Sequence, residues 1–399
     1  MPPIEALRIR RILDSRGNAT VEVEVDAGGV SGRAAAPSGA STGTHEVAAW
    51  SAGGVEEGIL RFRQEIAAKL VGVDAAAQAE VDGILHAIDG TPNFARIGGN
   101  VAVATSLAVA KAAAAAARKP LHAYLGDGRA PPFPLGNVIG GGRHAIGGTD
   151  IQEYLSLAQS HSPSKAVFAN ARVHRLVAAE LARRLPGEAI GKGDEGAWVA
   201  KLSNEDAAAV LADACRSASR ETGVPCAPAL DLAASEFYRQ GAYVYKDRTL
   251  TPDRQVEYVA GLVESYGLAL VEDPLDQEDF DGHARLTEIV GESCVVVGDD
   301  LFATNPERLR RGIAKHAANA ILIKPNHIGT LTDTRTTVAL AKEAGYRTVM
   351  SHRSGETTDD AIAHLAVAFG SFAIKTGAVG GERTAKLNEL IRIEEELGG

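Results

Sequence analysis

The chain has 399 residues, 45% of them hydrophobic and 23% charged, enough for two domains in an ordinary globular composition. Its net charge of −10 argues against a nucleic-acid or anionic-membrane partner. Cys215, Cys226 and Cys294 are widely spaced and form no CxxC pair, which offers neither a disulfide framework nor a zinc site and fits a reducing cytoplasm. The amino terminus shows no signal-peptide pattern, and no stretch reaches the ~20 apolar residues of a membrane span.

Residues 1–35 alternate apolar and polar, with DSRGN as a turn between two strands. From about 53 to 119 the pattern is helical and ends in the alanine-rich stretch Leu107–Lys119, followed by Pro120; alanine is the best helix former, which predicts a well-packed structural helix. GDGRAPPFPLGN (126–137) is the richest Pro/Gly segment and the expected boundary, giving an N-terminal α+β domain over 1–127 and a second domain over 132–399.

The second domain repeats one device. CAPAL stops at Asp231, LALV at Glu272, CVVVG at Asp299, AILI at Lys324, RTVMS at His352 and FAI at Lys375. The spacing is about one strand plus one helix plus loops each time, which predicts a parallel sheet closed into a (β/α)8 barrel. Amphipathic helices fill the intervals. In TPDRQVEYVAGLVESY, Thr251 caps, Pro252 suits the first turn, and Val256, Val259, Leu262, Val263 and Tyr266 share a face.

Active groups of such barrels gather at the carboxyl ends of the strands, so the six stops converge on one mouth. Asp231, Glu272 and Asp299 offer hard oxygen ligands of the kind magnesium takes; singly, each could instead cap a helix or pair with a base. Lys324 beside bound dications would have its pKa lowered and could serve as a base; the bland reading is a salt bridge to Asp299 or Glu272. SHRSGET (351–357) sets Arg353 and Ser354 side by side, suited to phosphate or carboxylate. GDEG and IQE supply Glu195 and Glu153, which could share a proton if close. PSGASTG (37–43) reads as a mobile lid or a plain surface loop. P-loop, GxGxxG and GxSxG patterns are absent.

With these residues in view, the chain resembles the enolase family. LDSRGN, PSGASTG, GDEG, LDLAASEFY, VEDP, VGDDLFATN, LIKPNHIGT, SHRSGET, IKTG and LNELIRIEEELG follow the family's order along nearly the whole chain. The resemblance implies an α/β fold: an enolase-type barrel with an antiparallel start and an N-terminal α+β domain. It implies Asp231, Glu272 and Asp299 as ligands of one magnesium and Ser41 as lid ligand of a second. It further implies Lys324 as the base at C2, Glu195 as the acid with Glu153 beside it, and Lys375 near the substrate carboxylate. His144, Arg353 and Ser354 match phosphate contacts, with His352 next to them and Gln152 on the active-site loop. A homodimer is also implied, with Glu22 and Arg392 at the positions that pair across subunits.

The expected activity is reversible, magnesium-dependent dehydration of 2-phospho-D-glycerate to phosphoenolpyruvate in the cytoplasm, as in glycolysis. A lysine base working with magnesium ions is an established pairing in this superfamily. The alternative is an enolase-like dehydratase acting on a carboxyphosphono analogue, and a third reading is a non-catalytic scaffold. Departures border the phosphoryl end: Gly140 stands for the usual Asn, GDEGAW brings Trp198 behind the acid, and His327 replaces a Gln near Lys324.

Overall fold

A computed structural model describes residues 2–39 and 43–398. The chain opens with an antiparallel three-stranded sheet, β1 (Ile4–Leu13), β2 (Ala19–Ala27) and β3 (Val30–Ala35), in that order. The DSRGN turn closes as expected: Asp14 Oδ1 accepts from the backbone N–H groups of Arg16 and Asn18. Alternation does what the pattern demands, burying Val21, Val23 and Val25 of β2 on one face.

That face packs on the helix Gly99–Ala116. The helix starts earlier than its alanine-rich half suggests, because Val101, Val103 and Leu107 are buried with the alanines. Gly32 of β3 is needed for the contact: a Cβ there would lie 2.1 Å from the backbone nitrogen of Ala112. By length and composition the helix could cross a membrane, but 83% of it is buried between the N-terminal sheet and the rest of the protein.

The barrel begins with β4 (Phe133–Gly140) and β5 (Glu153–Ala158), which run antiparallel to each other. A hairpin of β6 (Gly191–Lys192) and β7 (Trp198–Val199) docks on β4. β8 (Cys226–Asp231) pairs antiparallel with β5. A small sheet of β9 (Tyr238–Arg239), β10 (Ala242–Val244) and β11 (Thr249–Leu250) follows outside the barrel. Then β12 (Leu270–Glu272), β13 (Val295–Gly298), β14 (Ala320–Ile323), β15 (Arg347–Ser351) and β16 (Ala373–Lys375) add in parallel. Pairing of β16 with β4 closes eight strands into a barrel, so the expected fold and its antiparallel start are both present.

Inward-facing Leu135, Leu155, Ala229, Leu270, Val297, Leu322 and Val349 fill the interior, making it a packed core with the mouth as its open end. The outer helices are built as the sequence indicates. In Pro252–Tyr266, Thr251 accepts from the Arg254 N–H, Val256, Val259, Leu262 and Val263 are buried, and Gly267 ends the helix at φ 64°.

The N-terminal unit is fastened to the barrel by polar contacts. Lys111 of the long helix lies 2.9 Å from Asp359, which also accepts from the backbone N–H of Ala35 in β3. Ser38 pairs with Gly355 through two backbone hydrogen bonds, bringing the loop before the lid against the SHRSGET loop.

Candidate active site

All six strand-end groups meet at one mouth. β8 and β12 align Asp231 with Glu272, and Glu272 lies opposite Val297 of β13, two residues before Asp299. Glu153 joins them by a route the strand-end rule misses. β5 runs the other way, so its first residue, not its last, reaches the rim, opposite Asp231. The cleft is lined by Glu46, His144, Gln152, Glu153, Glu195, Asp231, Asp299, Lys324, His352, Arg353, Ser354 and Lys375, among others. Ser41 lies outside the described residues.

Lys375 Nζ is 2.9 Å from Asp231, 2.8 Å from Glu272 and 3.3 Å from Glu153. Burial alone would lower its pKa, yet the charges of Asp231 and then Glu153 outweigh this and hold the ammonium protonated. Lys324 Nζ pairs with Asp299 at 2.5 Å. Its pKa is raised, with the Asp299 charge outweighing burial. The lowering expected for a base beside dications is thus reversed when Asp299 is free to pair, and the salt-bridge reading describes the side chain as it stands here.

Acids outnumber bases at the mouth. Burial and the Asp231 charge push Glu272 up to about 8, and burial and the Asp299 charge push Asp300 up to about 7. Among the described residues, Glu272 Oε1 and Asp299 Oδ1 are buried without a hydrogen-bond partner. Crowded carboxylates with orphaned oxygens fit a hard cation. Asp273, Asp299 and Asp300 also have oxygens close enough together to hold an ion. Asp273 positions this wall: its two oxygens accept from the backbone N–H groups of Asp299 at 2.9 Å and Asp300 at 2.7 Å. The VEDP and VGDD motifs carried this pair in plain view, but nothing in a linear reading joins them.

Glu195 sits on the tip between β6 and β7, in a left-handed conformation with φ 64°. A non-glycine residue there is strained, and the surroundings hold it. His174 Nε2 lies 2.9 Å from the Gly196 carbonyl oxygen, and Trp198 Nε1 donates to the His174 carbonyl. Trp198 therefore braces the turn. Asn137 donates to Glu195 Oε2 at 3.1 Å.

His144 Nδ1 lies between the two glutamates, 3.3 Å from Glu153 and 3.8 Å from Glu195. Glu153 and Glu195 are driven apart in acidity. Burial and then the Glu195 charge push Glu153 well up; Glu195 is pushed down, its own burial outweighed by the adjoining His352 ring. A shared proton would thus reside on Glu153, with Glu195 ionised.

His352 Nε2 is 3.1 Å from Glu195 Oε1, and burial pushes the ring down to about 3, so it is neutral at pH 7. Arg383, which sequence reasoning did not single out, donates to His352 Nδ1 and to the carbonyls of Arg353 and Ser354. Because arginine only donates, the ring proton lies on Nε2, facing Glu195. Gln152 donates to Asp231 at 3.4 Å. Glu46 and His327 complete the wall near Arg353.

The candidate residues thus form one cleft with a carboxylate end, a lysine on one side, a glutamate pair on the other, and an arginine–serine corner. The sequence matches the family model for "Enolase, N-terminal domain" over residues 4–125 and that for "Enolase, C-terminal TIM barrel domain" over 129–399. It is 53% identical to a protein named Enolase from Methanothermobacter thermautotrophicus, across 99% of this chain and 97% of the relative. It is 54% identical to one of the same name from Halobacterium salinarum, across 99% of this chain and all of the relative, and 47% identical to one from Picrophilus torridus, across 99% of both.

Proposed function

This chain belongs to the enolase family of lyases, and on that footing we propose that it catalyses the magnesium-dependent, reversible dehydration of 2-phospho-D-glycerate to phosphoenolpyruvate. The observation that carries this reading is the placement of Lys324 after β14 and Glu153 on β5, on opposite sides of the closed barrel, with Asp231 and Asp299 lining the cleft between them and Glu272 aligned beside Asp231. Removing a proton next to a carboxylate is difficult because it leaves a doubly charged aci-carboxylate. Magnesium, when held by Asp231, Glu272 and Asp299 (with Ser41 for a second ion), supplies the charge that stabilises it.

Lys324, once released from Asp299 and having lost its ammonium proton to solvent, takes the proton from C2 as the neutral amine. On the opposite side, the Glu195–Glu153 pair delivers a proton to the departing C3 hydroxyl, with His144 and Asn137 steadying the two carboxyls. Lys375 faces the substrate carboxylate. Arg353, Ser354 and His144 hold the phosphoryl group, with His352 and Gln152 orienting their neighbours. The relatives' common name favours the glycolytic substrate over a carboxyphosphono analogue, which would use the same machinery with a different phosphorus end.

The protein works in the cytoplasm as a homodimer in this reading. Within one chain Glu22 is paired with Arg10 at 2.5 Å and Arg392 with Glu389 at 2.5 Å, so assembly would exchange those partners.

The test is an absorbance assay of enol formation with purified, magnesium-loaded protein. Turnover of 2-phosphoglycerate that disappears with a chelator and returns with magnesium is expected. No turnover of 2-phosphoglycerate alongside turnover of the phosphono analogue would replace this reading with the alternative.

A further inference from the structure

Glu46 has no role in the chemistry above, yet it is a buried carboxylate in the wall of the cleft. Its Oε2 lies 3.0 Å from Arg353 Nη2 and its Oε1 3.2 Å from the same nitrogen. Oε1 also accepts from the Gly43 N–H at 2.7 Å and lies 3.2 Å from His327 Nε2. One side chain thus ties three separate segments: its own, the loop after β14 that carries Lys324, and the loop after β15 that carries Arg353. A backbone bond from Val47 N to the His327 carbonyl oxygen repeats the tie at 3.0 Å.

The Arg353 backbone and side chain are held by different groups. Arg383 grips its carbonyl at 2.6 Å. The guanidinium is held by Glu46 on Nη2 and by Asn326 Oδ1, 3.1 Å from Nη1. A flexible arginine head gains affinity for a planar anion when its fork is fixed beforehand. We propose, resting on the enolase reading above, that Glu46 is a positioning residue: it aims the Arg353 guanidinium and so sets the grip on the substrate's phosphoryl group. His327, which replaces the family's usual glutamine, shares the same carboxylate and links the phosphoryl end to the Lys324 loop.

The test uses the full chain with magnesium and two readouts, steady-state kinetics with 2-phosphoglycerate and calorimetric titration with inorganic phosphate. Glu46→Ala is expected to raise KM about tenfold with kcat within about threefold, and to weaken phosphate binding by a similar factor. Glu46→Gln, which keeps an acceptor for Nη2, is expected to recover most of both losses. Should the alanine variant not fold, Glu46→Asp, which withdraws the carboxylate by one methylene, is expected to move KM and phosphate affinity in the same direction. Folded variants that bind phosphate as well as or better than wild type would overturn the proposal. Weaker phosphate binding in the variants of a protein that does not turn over 2-phosphoglycerate would instead leave this inference standing and reject the substrate.

Discussion

The Lys375 ammonium lies 2.9 Å from the Asp231 carboxylate, and the same nitrogen is 2.8 Å from Glu272. A side-chain cation therefore faces two of the three acids proposed for magnesium. Any metal entering must share or take over that charge balance. Lys375→Met is expected to tighten magnesium binding about tenfold, because two buried carboxylates lose their cation, while turnover falls by about two orders of magnitude or more. Calorimetric titration with magnesium checks the first part; weaker binding would show that Lys375 does not compete with the ion.

Lys324→Ala is expected to abolish exchange of the C2 proton with solvent and to lower kcat by about a thousandfold or more. Deuterium exchange followed by NMR measures this independently of net dehydration. Persistent exchange in folded variant protein would identify another base. Magnesium affinity should rise as well, since the site keeps all three carboxylates while Asp299 loses its cation.

The strained turn at Glu195 depends on groups that never meet substrate. Trp198→Gly removes the stack on His174, whose ring centroid is 4.9 Å away, and the indole hydrogen bond to its carbonyl. The expected outcome is a fall in kcat of about tenfold with KM little changed, because the acid is aimed less well while the phosphoryl corner is untouched. Steady-state kinetics at saturating magnesium decide it, and an equal loss in Trp198→Phe, which keeps an aromatic face, would argue against stacking as the cause.

Lys111 and Asp359 form a partly buried pair between the long N-terminal helix and the barrel. Lys111→Met leaves the carboxylate without its cation and is expected to cost about 1–3 kcal/mol. Denaturant unfolding of the variant measures the loss. The double variant with Asp359→Asn should recover much of it; no recovery would place the defect elsewhere.

Glu389 gives a pH dependence away from the catalytic cleft. Its carboxyl is held down to about 2, by the His364 ring first and with help from Arg392. A depressed acid stabilises the fold above its ordinary value of about 4.3 and loses that contribution as pH falls towards the folded value. Partial exposure to solvent limits the gain to about 1 kcal/mol. Glu389→Gln is therefore expected to melt below wild type at pH 7, with the gap closing between about pH 4.5 and 2. A gap that persists at the acid end of that range would show packing, not charge, as its origin.

Assembly is the simplest expectation to check. Light scattering is expected to give about twice the 41.5 kDa chain mass. Charge reversal at Arg392 should shift the equilibrium towards the single chain, and a species of one chain mass at all working concentrations would reject the homodimer.

Much of the barrel was legible because six of its eight strands write a short apolar run that ends at a functional group, as at Ala320–Ile323 before Lys324. The periodicity of Pro252–Tyr266 and its Thr251 cap were equally readable, since both are local. The second half of the long helix Gly99–Ala116 was legible in its alanines, while its start at Gly99 was not marked within the helical region 53–119, because its first half is held by packing on β2 and β3 rather than by propensity. Glu153 was legible only as a carboxylate that could share a proton with Glu195 if close; its place at the mouth was not, since its strand runs against its neighbours and no single-strand pattern reveals direction.

Residue types and spacing by themselves determined which carboxylates and lysines stand at strand ends, because strand and helix periods are properties of neighbouring residues. Only the tertiary structure decided who pairs with whom: Lys324 with Asp299, Lys375 between Asp231 and Glu272, Arg383 behind His352, and Glu46 on Arg353. Those pairings set which groups carry protons, and they rest on distances between residues far apart in the chain and on burial that strengthens every charge, neither of which a linear order of residues contains.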